Sequence, residues 1–279
     1  MMTIPPFQRA YPPTPPVTGS VLWFPFQHGK LVVQEHGQGV ELIERDATEL
    51  AALDPDPLLN LGTLEGKPCL ACEIHVERAL PAEWRAVDPR TLFGQLDELS
   101  YSLVGYARDL LNWQRHHRYC PNCGQLSESL PASWGRTCPH CGFTNYPTVT
   151  PAILVLVHDG GDKVLLVRKP GWTSHRSIIA GFVEPGESLE GCVRREIYEE
   201  VGLQVTDITY VGSQPWPYPD QLMAGFTARY IAGEIHLQTD ELDAADWYEY
   251  DDLPGLPMQE SLSYQIITQW SQSRQPVRK

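Results

Sequence analysis

The chain has 279 residues, 42% of them apolar and 20% charged, enough for one large domain or two modest ones with cores of their own. Its 35 acidic residues against 21 basic ones give a formal charge of −14. That balance argues against a basic face that grips polyanions regardless of sequence, a small local patch aside, and leaves room for a phosphate substrate whose charge is offset by metal ions. No apolar run reaches the ~18 residues of a membrane helix, and prolines break up the first sixteen residues, where a secretory leader needs an unbroken stretch. The expectation is a soluble, cytoplasmic protein with no membrane partner.

In chain order, residues 1–20 are proline-rich and read as an irregular arm. Short strand-like runs follow at Val21–Phe24, Lys30–Gln34 and Pro68–Val76, separated by Gly, Pro and Asp turns, which predicts a small, mainly β domain. Apolar residues at 92, 96, 99, 103, 107, 110 and 111 then predict an amphipathic helix over 92–113. Past residue 150 the pattern is mixed. Strands are expected at Ala152–Val157, Lys163–Arg168, Ser177–Ala180, Val205–Ser213 and Met223–Ile231, with helices at about 188–201 and 261–272, and a hairpin turn at 158–162. No internal repeat is visible. The domains expected are 1–118, mainly β and ending in the helix, then a cysteine module over 119–147, then an α/β domain over 148–279.

The cysteine module carries Cys120-Pro-Asn-Cys123 and Cys138-Pro-His-Cys141, two C-x-x-C knuckles separated by 14 residues, each followed by glycine. Four thiolates at that spacing close a tetrahedral structural Zn²⁺ site, and metal binding supplies much of the folding free energy of so small a module. Arg136 is the single Lys or Arg in 119–150, so the module reads as architectural rather than nucleic-acid binding. Cys69, Cys72 and Cys192 read as core thiols, and His116 and His117 as a solvated helix end.

The most informative stretch is Gly181 to Leu203. Glu196, Glu199 and Glu200 stand at i, i+3 and i+4 of the predicted helix, so their carboxylates share one face. Like charges so placed repel, and a hard divalent cation such as Mg²⁺ or Mn²⁺ resolves the conflict. Arg195 is positioned to pair with Glu187 across the loop, and Gly202 to end the helix. A bare Glu-x-x-Glu-Glu reads as a solvated acidic face, but here the string fits G-x5-E-x7-R-E-U-x-E-E-x-G-U, with U apolar, at every fixed position.

That string resembles the Nudix box, which implies an α+β Nudix fold, a mixed sheet sandwiched by helices, and metal-dependent hydrolysis of a nucleoside diphosphate linked to another group. The stretch Ser213-Gln-Pro-Trp-Pro-Tyr-Pro-Asp-Gln221, with three prolines around two rings, reads as a stiff aromatic loop excluded from a central strand. It is similar to the SQPWPFPxS motif of the NADH pyrophosphatase subfamily, whose members also remove NAD caps from RNA and share the order of N-terminal domain, zinc ribbon and Nudix domain. The resemblance implies one structural Zn²⁺ per chain and two to three catalytic Mg²⁺ or Mn²⁺ ions on Glu196, Glu199, Glu200, Glu241 and the Ala180 carbonyl. It further implies substrate contacts from Tyr146, Phe182, Gln214, Pro215, Trp216, Pro217, Tyr218, Pro219, Asp220, Gln221, Ser263 and Arg85, and a homodimer. The implied substrates are NADH or NAD⁺, cut to a nicotinamide mononucleotide and AMP, and NAD-capped RNA. Tyr218 replaces the motif's Phe, Gln221 its final Ser, and Ser133 an acidic residue of some relatives. The rival readings are a broader dinucleotide or ADP-ribose hydrolase, and a catalytically silent zinc-ribbon protein that binds RNA or senses a ligand.

Overall fold

Two units make up the chain, Met1–Thr148 with Pro217–Pro219, and Val149–Trp216 with Asp220–Lys279. The computed structural model describes residues 6–14, 16–37, 39–218 and 220–275; Pro219, one of the expected substrate contacts, lies outside them.

In the first unit, β1 (Phe7–Arg9), β2 (Ser20–Gln27), β3 (Lys30–His36), β4 (Gly39–Glu41), β5 (Ile43–Asp46), α1 (Ala47–Ala51), β6 (Leu58–Leu64), β7 (Lys67–Glu73) and β8 (Trp84–Val87) precede α2 (Glu98–His116). The strands form one sheet in the order β1-β6-β7-β2-β3-β4, with β5 also pairing β2 and β8 pairing β3. The supposed N-terminal arm therefore supplies a strand, because Phe7–Arg9 pair antiparallel with Gly62–Leu64. The long helix begins later than its apolar spacing suggests. Pro89–Leu92 form a 3-10 turn, whose three-residue period keeps the same residues in step, and Asp97 caps the helix by accepting from the Ser100 amide at 2.9 Å. Phe24, Leu31, Leu61, Val104 and Leu111 are buried between this helix and the sheet. Cys69 and Cys72 sit in β7 with burial holding their thiols at about 11 and 12, so they are inert core groups, as expected.

The ribbon belongs to the same unit and has three strands of two residues each, β9 (Glu128–Ser129), β10 (Arg136–Thr137) and β11 (Thr144–Asn145). So little sheet cannot hold a fold alone. It is tied to α2 by Trp113, whose indole donates to the Trp134 carbonyl at 2.8 Å, and by Trp134, whose indole donates to the Tyr106 hydroxyl at 2.9 Å.

The second unit runs β12 (Thr150–His158), β13 (Lys163–Arg168), β14 (Ile179–Phe182), α3 (Leu189–Val201), β15 (Gln204–Trp216), β16 (Gln221–Ala232), β17 (Ala244–Glu249) and α4 (Leu262–Arg274). Its sheet order is β15-β16-β12-β13-β17, with β14 also on β12. The parallel β12–β16 pair lies at the centre, where Val155, Val157 and Phe226 are buried with α3 on one face and Leu154 and Leu156 with α4 on the other. Strand β17 escaped the sequence reading because its six residues, Ala-Ala-Asp-Trp-Tyr-Glu, show no clean alternation.

The two units share one plan of pairing. In each, a first strand forms a hairpin with the next (β2–β3, β12–β13), takes a short antiparallel partner (β5, β14), and pairs in parallel with the second strand of a later hairpin (β6–β7, β15–β16). A further strand then adds to the second (β8, β17), and a long helix closes the unit. The chain thus contains a topological repeat, contrary to the sequence reading, because hydrogen-bond order repeats here without any repeat of residues.

Candidate functional site

The zinc-type centre is built by its two knuckles. Gly124 and Gly142 both take φ of +73°, the left-handed conformation each knuckle needs to turn back, and each donates its amide to the carbonyl of the first cysteine of its pair, Cys120 and Cys138. The four sulfurs lie within 4.8 Å of one another, with Cys120–Cys141 and Cys123–Cys138 at 3.6 Å. Zn–S bonds of about 2.3 Å give sulfur separations close to 3.8 Å in a tetrahedron, so the residues fit a structural zinc ion. The Phe143 amide, with the Asn122 side chain, draws the Cys141 thiol down, while desolvation and the neighbouring sulfurs push Cys123 up against the Gln125 amide.

The carboxylate helix is organised by Arg195. Ser188 caps α3, accepting from the Gly191 amide at 3.0 Å, and Gly202 closes it with φ of +74°. From this rigid element the guanidinium donates to both Glu187 oxygens at 2.9 Å, to the Phe182 carbonyl at 2.9 Å, to Glu196 at 2.8 Å and to Glu199 at 2.9 Å. The expected Glu187–Arg195 pair is present, and it holds the Glu187 carboxyl down at about 2. Gly181 is fixed by contact: a Cβ there would fall inside the Glu196 carboxyl. Glu196 is 8% exposed and its carboxyl is raised, chiefly by burial.

A cavity of about 780 Å³ opens against this helix, with Ala180, Phe182, Glu196, Glu199, Gln221 and Glu241 in its wall. Six of the expected site residues are thus brought together. Glu200 lies beneath at 1% exposure; burial pushes its carboxyl up to about 7 against the opposing Lys169 charge, and among the described residues neither oxygen has a hydrogen-bond partner. A buried carboxylate without a donor is costly, and a set of carboxylates with a backbone carbonyl is hard-oxygen chemistry. The residues present therefore fit a divalent cation, although their oxygens are not gathered as closely as the cysteine sulfurs while Arg195 draws Glu196 and Glu199 to itself.

The remaining expected contacts fall in both units. The stretch 214–221 is not a loop throughout: Gln214, Pro215 and Trp216 end β15, paired with Met223, Leu222 and Gln221. Prolines are tolerated there because β15 is an edge strand, and the described turn residues are 217, 218 and 220. The Gln214 side chain is occupied with α4, accepting from the Leu262 amide and donating to the Glu260 carbonyl, both at 2.9 Å. Ser263 is 7% exposed and 3.2 Å from the Ser261 hydroxyl, and Asp220 accepts from the Thr150 hydroxyl at 3.0 Å. Pro217 and Tyr218 belong to the first unit. There the Arg108 guanidinium donates to the Pro217 carbonyl at 2.9 Å and lies 4.8 Å over the Tyr218 ring, with the Tyr101 ring at 6.4 Å. Also in that unit, Tyr146 is 54% exposed beside Gly135, and Arg85 pairs with Glu35 at 3.1 Å on the surface. The sequence reading missed Lys169, Met223 and Gln238, which line the cavity from three separate segments; of these only Lys169, before a Pro-Gly turn, carried any local signal.

Three family models match the chain: the NUDIX domain over residues 148–270, the NADH pyrophosphatase-like rudimentary NUDIX domain over 20–113, and the NADH pyrophosphatase zinc ribbon domain over 115–143. The NAD-capped RNA hydrolase NudC of Pseudomonas fluorescens (strain Pf0-1) is 41% identical over 210 residues, 75% of this chain and 75% of its own. That of Pseudomonas aeruginosa (strain LESB58) is 41% identical over 76% of this chain and 77% of its own, and that of Pseudomonas putida (strain W619) is 39% identical over 81% and 82%.

Proposed function

The chain belongs to the Nudix hydrolases, in the family of the NAD-capped RNA hydrolases NudC, and from that membership we propose that it cuts the pyrophosphate of NADH and NAD⁺ and of NAD caps on RNA. The products are a nicotinamide mononucleotide and AMP, or RNA with a 5′-monophosphate. The observation that carries the reading is the acid-lined cavity with Glu200 buried and unpartnered beneath it.

In this reading Glu196, Glu199, Glu200, Glu241 and the Ala180 carbonyl would hold Mg²⁺ or Mn²⁺. Such ions offset diphosphate charge and lower the pKa of a water. Arg195 holds loop and helix in register through Glu187 and the Phe182 carbonyl, so the carboxylates are presented from one rigid surface. Deprotonating the attacking water falls to a carboxylate of this set. Phe182, 49% exposed in the cavity wall, offers a ring for nicotinamide or adenine to stack on. With Tyr218 engaged by Arg108 and Tyr101, ring selectivity rests on Phe182. A homodimer in a cytoplasmic setting completes the reading. The zinc ribbon, with one Lys or Arg in 119–150, is its architectural part.

The test compares kcat/KM on NADH, NAD⁺, ADP-ribose and an NAD-capped RNA with Mg²⁺ or Mn²⁺, beside Glu200→Gln. Preference for NADH or the capped RNA, lowered at least a hundredfold in the variant, is the expected result. Preference for ADP-ribose would replace the substrate assignment with that of a broader hydrolase, and no metal-dependent turnover on any of the four would turn the protein into a binding module.

A further inference from the structure

Two cationic side chains line the cavity, Lys169 and Arg195, and they differ in what they have left to give. All five N–H groups that a guanidinium owns are spent on the protein by Arg195: one on each Glu187 oxygen, one on the Phe182 carbonyl, and the rest on Glu196 and Glu199. It cannot grip a ligand without releasing a carboxylate. Among the described residues, the Lys169 ammonium makes no hydrogen bond and no ion pair.

The backbone fixes where that ammonium starts. Lys169 follows the last residue of β13, and its carbonyl accepts from the Trp172 amide at 3.1 Å. Pro170 and Gly171, the latter at φ +83°, occupy the two central positions, the signature of a type II turn. A rigid turn therefore holds a partly buried cation, whose charge acts on the buried Glu200 carboxyl but whose N–H donors are not used, in a wall that otherwise carries Glu184, Glu196, Glu199 and Glu241. A long, flexible stem ending in a compact charge with three rotatable donors suits a phosphate oxygen better than it suits a fixed planar partner.

We propose that Lys169 binds the substrate diphosphate, its ammonium donating to a non-bridging phosphate oxygen. This deepens the hydrolase reading above and rests on it. Lys169 is then a substrate-binding residue that contributes to KM, separate from the carboxylate set that contributes to kcat.

The experiment pairs Lys169→Met and Lys169→Arg with steady-state kinetics on NADH and with calorimetric titration of AMP in the presence of Mg²⁺. Thermal melts confirm that the partly exposed position leaves the fold intact. Loss of a charge-assisted hydrogen bond predicts kcat/KM about tenfold to a hundredfold lower in the Met variant, carried mainly by KM. AMP affinity should fall in parallel, and Arg should recover most of both. Unchanged KM and AMP affinity would overturn the proposal. So would a fall in kcat alone with a shifted Mg²⁺ requirement, which would make Lys169 a counter-charge for the buried Glu200 instead. If the wild-type chain does not turn over NADH, the substrate reading fails, while the AMP titration still decides the role of Lys169.

Discussion

Glu200 is the residue whose environment departs most from that of an exposed side chain. Its folded carboxyl titrates at about 7 because burial disfavours the charge, against 4.5 for the ordinary group. The folded state therefore prefers the proton: the contribution to stability is complete below about pH 4.5 and is lost as pH rises through about 7. With zinc in place but no other divalent ion, the unfolding free energy from urea titrations should fall between pH 5 and pH 8, by up to about 3 kcal/mol. Glu200→Gln should flatten that dependence, and Mg²⁺ at pH 8 should restore the wild-type midpoint. Equal slopes in variant and wild type would place the linkage on another group. The box glutamates were legible in the sequence because their chemistry needs fixed helical spacing. Lys169, Met223 and Gln238 were not, since they meet only after β13, β16 and the segment before β17 have been brought together.

Among the elements, the turn residues that follow β15 show how a motif can be legible in composition while its packing partners are not. Pro217 packs on Gly105 of α2 so closely that an alanine Cβ there would stand 2.8 Å from the Pro217 Cβ. Gly105→Ala should gain about 1 kcal/mol of helix propensity and lose more to overpacking, typically 1–3 kcal/mol. The expected outcome is a lower urea midpoint. Unaltered stability would show that the Pro217 ring can move aside freely. The sequence displayed the three prolines and two rings, but nothing in it showed that α2 had left a gap for one of them. Helix α3 was visible to within a residue at its start because Ser188 and Gly202 cap it locally. The strand pairings of the first unit were hidden because each joins residues far apart in the chain, such as Phe7 with Leu64 and Leu22 with Cys69.

Across the whole molecule, metal dependence differs by unit. Ribbon strands of two residues leave the cysteine cluster as the main support of 119–147, and Trp113 and Trp134 carry any loosening into α2. Zinc removal by chelation, or Cys138→Ser, should change the tryptophan emission and lower the midpoint of the first unit by several kcal/mol. Re-adding zinc should reverse the effect of the chelator alone. Emission and stability indifferent to zinc would mean that the ribbon folds on its own contacts.

The repeated plan of strand pairing carries a last consequence. Where the second unit has the thirteen-residue helix α3 with its glutamates, the first has the five residues of α1, yet its sheet closes in the same order. One architecture has thus been executed twice within a single polypeptide, once furnished for chemistry and once bare. The bare copy serves as a natural deletion experiment: the winding of strands does not depend on the reactive helix. Inactivating substitutions in that helix should accordingly silence the molecule without unravelling it.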